Sequence, residues 1–192
     1  MPGRLGAILL AAGASSRMGT PKALLAWRGS TLLGFAIAQL RAAGVSELVV
    51  VLGLAHAEIE TALPELAGTT VRLNLDEASG RSGSIRIGAA AVPDIVEKVV
   101  VQSVDQPTSA EVLGALLAMH ADVVVPTSNG RRGHPVCFSG ALLEELREVT
   151  EDTQGLRAVV QRHTITEVEV GTDTVFWNLN DPRAYAEAQA RQ

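Results

Sequence analysis

The stretch Leu5-Gly6-Ala7-Ile8-Leu9-Leu10-Ala11-Ala12-Gly13-Ala14-Ser15-Ser16-Arg17-Met18-Gly19-Thr20-Pro21-Lys22 decides the fold. Its first part, Leu5–Leu10, is a continuous apolar run of strand length, as expected of a strand covered on both faces. Its second part is a loop of small residues that carries two cations, Arg17 and Lys22. Small residues let a backbone approach a ligand closely, and successive N–H groups in a tight loop form an anion-binding concavity. Arginine suits bidentate contact with phosphate, and lysine acts as a compact point charge. A polyphosphate cradle is one reading; an ordinary strand-to-helix turn with two solvated cations is the other. The loop is not a Walker A motif, which needs Gly and Lys adjacent. Nor is it a dinucleotide fingerprint, since Gly13 and Gly19 stand alone, which argues against a nicotinamide dehydrogenase.

Working outward, strand-like and helix-like segments alternate. Thr31–Ala43 reads as a helix with Ser30 as its cap, an apolar stripe of Leu33, Ala36, Ile37 and Leu40, and Gly44 as its stop. Glu47–Leu52 reads as a second buried strand, and Ala57–Leu66 as a helix interrupted by Pro64. Thr70–Leu75 and Lys98–Ser103 read as the third and fourth strands, with a short helix over Ser84–Val92 between them. Thr108–Glu111 has capping-box spacing and opens a helix to His120. Strands are expected over Asp122–Pro126 and Pro135–Ser139, helices over Gly140–Val149 and Gly155–Arg162, and an exposed or edge strand over Thr164–Val170. Asp181-Pro182 starts the last helix. Such alternation predicts an α/β three-layer sandwich with a mostly parallel sheet. Ligands of such sheets bind beyond the carboxyl ends of the strands.

The totals narrow the function. The chain has 192 residues, which suits one domain spanning residues 1–192 at about 100–200 residues per domain. Acidic residues outnumber basic ones, 21 to 16, which argues against DNA or RNA as the main partner. The single cysteine, Cys137, has no internal disulfide partner and is most simply a core residue, in keeping with a cytoplasmic protein. Arg4, the run Leu5–Ala12 and Ala12-Gly13-Ala14 imitate a signal peptide with its cleavage site. A buried strand entering a tight loop explains the same residues. No apolar stretch approaches the roughly 20 residues that a membrane span requires.

Asp105 follows the fourth strand in Ser103-Val104-Asp105-Gln106-Pro107. A carboxylate at the end of a buried strand is costly unless it pairs or binds a cation. Mg²⁺ is commonly held by one or two carboxylates plus substrate phosphates, so Asp105 is a candidate ligand; its alternative role is to cap the helix near Thr108. Asn74 and the Gly80, Ser82 and Ser84 of the loop after the third strand can offer amides and hydroxyls to a nucleotide or acceptor. The alternative there is a flexible loop with Ser82 as a helix cap. Gly130–Pro135 sets Arg131 and Arg132 beside a strand, where they suit an anionic acceptor or an ordinary solvated surface, and a lone histidine such as His134 is more often structural.

Leu10–Lys22, Asp105-Gln106-Pro107, Gly133-His134-Pro135 and Asn178-Leu179-Asn180-Asp181-Pro182 together resemble the MobA-like nucleotidyltransferases. That family includes the molybdenum cofactor cytidylyl- and guanylyltransferases. The resemblance implies the Rossmann-like sheet of the nucleotide-diphospho-sugar transferase type. It implies Mg²⁺, an NTP (CTP or GTP) and a small phosphorylated acceptor, with molybdopterin first and a sugar or polyol phosphate second. It places the base and phosphates on the Leu10, Ala11, Ala12 and Gly13 backbone and the triphosphate on Arg17 and Lys22. Asn74, Gly80, Ser82, Ser84 and His134 would contact nucleotide or acceptor, and Asp105 and Asn180 the metal. Ala11-Ala12-Gly13 is similar to the cytidylyl branch and favours CTP. Asn178 and Asn180 stand where that branch commonly carries Asp, as in the guanylyl branch. An Asn offers a neutral oxygen and holds Mg²⁺ less tightly, with Asp181 as a compensating charge or a helix cap. Loss of those carboxylates also suits a noncatalytic carrier that hands cofactor to a molybdenum enzyme.

Overall fold

The computed structural model describes residues 3–13, 19–152 and 154–191. In chain order its elements begin with β1 (Arg4–Ala11), a small hairpin of β2 (Ala26–Trp27) and β3 (Ser30–Thr31), α1 (Leu32–Ala42), β4 (Glu47–Leu52) and α2 (His56–Ala62). They continue with β5 (Thr70–Leu73), α3 (Gly80–Ala91), β6 (Val96–Ser103), α4 (Ala110–Leu117), β7 (Val123–Ser128), β8 (Arg131–Arg132) and β9 (Val136–Ser139). The chain ends in α5 (Leu143–Arg147), α6 (Leu156–Arg162), β10 (Ile165–Glu169) and α7 (Pro182–Gln189).

The apolar run that imitates a signal peptide is a central strand. β1 pairs in parallel with β4 on one side and β6 on the other, so that Ile8 lies between Val49 and Val101. The sheet order is β10-β7-β9-β6-β1-β4-β5, with β8 as a short addition to β7. β9 runs antiparallel to both β6 and β7, a reversal that hydrophobic pattern alone does not reveal. β10 forms the edge, as its alternating sequence suggests.

Successive residues of β1 face opposite layers. Ala7 and Leu9, with Val50, Leu52 and Val100, pack against Leu33, Ala36, Ile37 and Leu40 of α1. Ile8 and Leu10, with Val49, Val51 and Val101, pack against Ile85 and Ala89 of α3 and Leu143 and Leu146 of α5. Each fully buried Leu or Ile contributes about 1.5–3 kcal/mol. Two such layers explain why runs of Val and Leu, rather than alternating patterns, mark the central strands.

Local chemistry sets the helix limits. The cap of α1 is Thr31, not Ser30: the Gly34 N–H donates to Thr31 Oγ1 at 3.0 Å. Gly44, at φ +92°, stops the helix in a conformation that favours glycine. α4 is capped by Ser109, and α7 by Asp181, which accepts the Ala184 N–H at 2.9 Å. α3 begins earlier than its apolar stripe indicates, because Gly80 to Ser84 are already helical. No helix of the described residues is long and apolar enough to cross a membrane.

The connection β1–α1–β4 lies on one face of the sheet and β5–α3–β6 on the other. β1 is therefore the strand at which the winding reverses, and the loops after β1 and β6 diverge there to open a crevice.

Candidate active site

A cleft of about 1040 Å³ occupies that crevice. Its floor and walls include Leu10, Ala11, Ala12 and Gly13 after β1, Lys22, Gly53 after β4, Asn74 after β5, Gly80, Arg81 and Ser84 of α3, Asp105 after β6, and Asn178 and Asn180 near the end. Parallel pairing continues past the strands and holds these loops: the Val104 N–H donates to the Leu10 carbonyl at 2.9 Å, and the Asn74 N–H to the Leu52 carbonyl at 2.8 Å. Gly53 is tightly confined, since a Cβ there would lie 2.4 Å from the Ala12 carbonyl oxygen.

Three distant segments meet at one ammonium. Lys22 Nζ donates to Asp105 Oδ2 at 3.2 Å and to Asn180 Oδ1 at 2.6 Å. The C-terminal segment is fastened there by the Leu179 N–H, which donates to the Asp105 carbonyl at 2.8 Å. Asp105 thus points into the cleft and does not cap α4. Asp181, by contrast, is occupied as the cap of α7. Among the described residues, no group of three or more His, Cys, Asp and Glu forms a metal site. The Asp105 carboxylate and Asn180 carbonyl nevertheless converge on one cationic head, so their positions fit a hard divalent ion completed by ligand oxygens.

The other expected site residues differ in placement. Arg17 lies outside the described residues. The Asn74 side chain is committed internally: its Nδ2 donates to Ser84 Oγ at 2.9 Å and to Ser79 Oγ at 3.1 Å, and its Oδ1 accepts the Asp76 N–H at 3.2 Å. It braces the loop after β5 against α3. Ser82 is buried outside the cleft wall, with its N–H donated to Glu151 Oε1 at 2.8 Å. His134 does not line the cleft either, but it senses the site. Burial pushes its imidazole below the usual range, the Arg81 charge adds to this, and the Asp105 charge opposes it. Arg131 is turned away, with its guanidinium 4.4 Å over the Phe176 ring, and Arg132 pairs with Glu167.

Arg81 is the cleft residue that motif reading passes over. Partial desolvation in the cleft lowers its guanidinium pKa, against the charges of Asp105 and Glu151, although the residue as a whole stays exposed to solvent. Its position in a small-residue loop, between Gly80 and Ser82, was the available signal.

Residues 7–168 match the MobA-like NTP transferase domain. The chain belongs to this family. As a MobA-like protein it is a nucleotidyltransferase, and the expected fold and family are both found. It is 40% identical over 189 residues to a molybdenum cofactor guanylyltransferase of Xanthomonas euvesicatoria pv. vesicatoria, covering 93% of this chain and 91% of the relative. It is 32% identical over 166 residues to nicotine blue oxidoreductase of Paenarthrobacter nicotinovorans, covering 81% of this chain and 80% of the relative. This MobA-like fold superposes on crystalline Rv0371c of Mycobacterium tuberculosis with a TM-score of 0.85 at 28% identity, covering 97% and 98% of the two chains. For the complex of Rv0371c with manganese the TM-score is 0.81 at 27% identity, covering 96% and 97%.

Proposed function

We propose that the protein transfers a nucleoside monophosphate from an NTP to the phosphate of a small acceptor, molybdopterin, and releases pyrophosphate. The observation that carries this reading is the meeting of Lys22, Asp105 and Asn180 at the mouth of a cleft floored by Leu10–Gly13. An acceptor phosphate oxygen attacks the α-phosphorus, the new P–O bond forms, and the bond to the pyrophosphate oxygen breaks. Both reactants are anions, so alignment and charge neutralisation dominate the barrier. Lys22 stabilises negative charge on the departing oxygens, and the amides of the opening loop bind the triphosphate. The acceptor phosphate is already ionised, so no covalent nucleophile is required. A divalent cation held by Asp105 and the Asn180 carbonyl would neutralise and align phosphate oxygens. Support for such an ion comes from the manganese complex of the similar Rv0371c.

Ala11-Ala12-Gly13 favours CTP. GTP is the second reading, favoured by Asn178 and Asn180 and by the name of the Xanthomonas relative. The test is pyrophosphate release with each of four NTPs, with and without Mg²⁺, against molybdopterin and a panel of sugar and polyol phosphates. NAD(P)H oxidation serves as the control prompted by the name of the Paenarthrobacter relative. Mg²⁺-dependent release with CTP and molybdopterin is expected. Nucleotide binding without release from any pair would overturn the transferase reading in favour of a carrier.

A further inference from the structure

Arg81 differs from the arginines of this chain that form surface ion pairs. Arg4 pairs with Glu47, Arg147 with Asp94 and Glu144, and Arg183 with Glu187. Among the described residues Arg81 forms no ion pair, yet it lines the cleft. Lys22, the other described cation there, is already drawn to Asp105 and Asn180.

The backbone that carries Arg81 is held from outside the cleft. Glu151, in the turn between α5 and α6, accepts the Ser82 N–H at 2.8 Å. Two glycines make that contact possible. Gly80 sits at φ +60°, and a Cβ there would lie 2.9 Å from Glu151 Oε1. A Cβ on Gly155 would lie 2.6 Å from Ser82 Oγ. The turn itself is closed by the Gly155 N–H, which donates to the Thr150 carbonyl at 2.8 Å. The Glu151 charge also acts on Arg81, together with that of Asp105. An otherwise flexible guanidinium is thus anchored at its root and set within the field of the site.

Two anions must meet in the reaction proposed above, and among the described residues the Lys22 ammonium is already shared with Asp105 and Asn180. A guanidinium matches a phosphate monoester with two parallel hydrogen bonds. We propose that Arg81 binds the acceptor's phosphate monoester, and that Glu151 is the positioning residue that sets Arg81. The assignment rests on the transfer reaction, but it is tested by binding alone.

The experiment titrates phenyl phosphate into protein saturated with Mg²⁺ and a non-hydrolysable NTP analogue, for wild type, Arg81→Ala, Arg81→Lys and Glu151→Gln. Arg81→Ala is expected to weaken phenyl phosphate binding about tenfold or more while analogue affinity changes by less than about twofold. Arg81→Lys, which keeps charge and fold, should fall between. Glu151→Gln preserves an acceptor for the Ser82 N–H and should weaken the monoester about threefold, with an unchanged melting temperature. Free guanidinium should restore monoester binding to Arg81→Ala, which a purely structural role would not allow. Equal loss of analogue and monoester, or no loss of either, overturns the assignment of Arg81. Loss in Arg81→Ala with none in Glu151→Gln overturns the positioning role. Arg81-dependent binding in a protein that releases no pyrophosphate would refute the transferase reading and leave this site standing.

Discussion

Lys22 and Asp105, 83 positions apart in the chain, form an ion pair at 3.2 Å between the loop after β1 and the turn after β6. The pair ties the two sides of the winding reversal together where the substrate phosphates would lie.

Removing either partner separates their roles. Lys22→Ala should reduce turnover about 10²-fold or more, as loss of one transition-state donor does. Because Lys22 Nζ stands between Asp105 Oδ2 and Asn180 Oδ1, the same variant should bind Mn²⁺ more tightly in the absence of nucleotide. Asp105→Ala should lose both turnover and Mn²⁺ binding. Pyrophosphate release and electron paramagnetic resonance titration measure the two effects. Unchanged nucleotide affinity and turnover in Lys22→Ala would refute the phosphate-cradle role.

Asn180→Asp adds a second carboxylate beside Asp105. The Mg²⁺ concentration for half-maximal turnover should fall about 3–10-fold, since charge count tunes affinity for hard cations. An unchanged Mg²⁺ requirement would remove Asn180 from the metal side.

His134 predicts an acid-side loss of stability. Its folded-state pKa lies below the ordinary value of 6.5, chiefly through burial. The unfolded chain therefore takes up the proton more readily than the folded one. The contribution is present above 6.5 and is lost as pH falls below it. Melting temperatures at pH 7.5 and 5.5 should differ more for wild type than for His134→Asn.

Gly53→Ala places a methyl group 2.4 Å from the Ala12 carbonyl oxygen, an atom of the loop backbone. Destabilisation of about 1–3 kcal/mol is expected, together with weaker nucleotide binding, because the loop must shift. Chemical denaturation and nucleotide titration check the two effects.

Cys137 is buried in β9, and burial pushes its thiol up to about 12. It should resist a disulfide reagent at pH 8 in the native protein and react at once in denaturant.

Much of this was legible in the chain. Leu5–Leu10, Glu47–Leu52 and Lys98–Ser103 declared themselves as strands because burial on both faces favours continuous apolar runs, here interrupted by the buried Gln102. The family was equally legible, because the loop chemistry from Leu10 to Lys22 leaves little freedom in residue type. The antiparallel course of β9 was not, since strand direction leaves no mark on a run such as Val136–Phe138. The start of α3 was also hidden, because Gly80–Ser84 has turn-like composition and becomes helical only against Glu151 and Asn74. Ser82 and His134 appeared together with Gly80 and Ser84 in motifs, yet their neighbours place them outside the cleft wall.

By itself, the sequence determined which segments bury apolar surface, and hence the layered architecture and the identity of the phosphate-side loop, since local pattern encodes burial directly. Only the tertiary structure decided which side chains share the cleft. Asn180 reaches Lys22, Arg81 enters the field of Asp105, and Ser82 turns to Glu151 because strand order brings remote loops together, and that order is set by packing of whole layers rather than by any local run of residues.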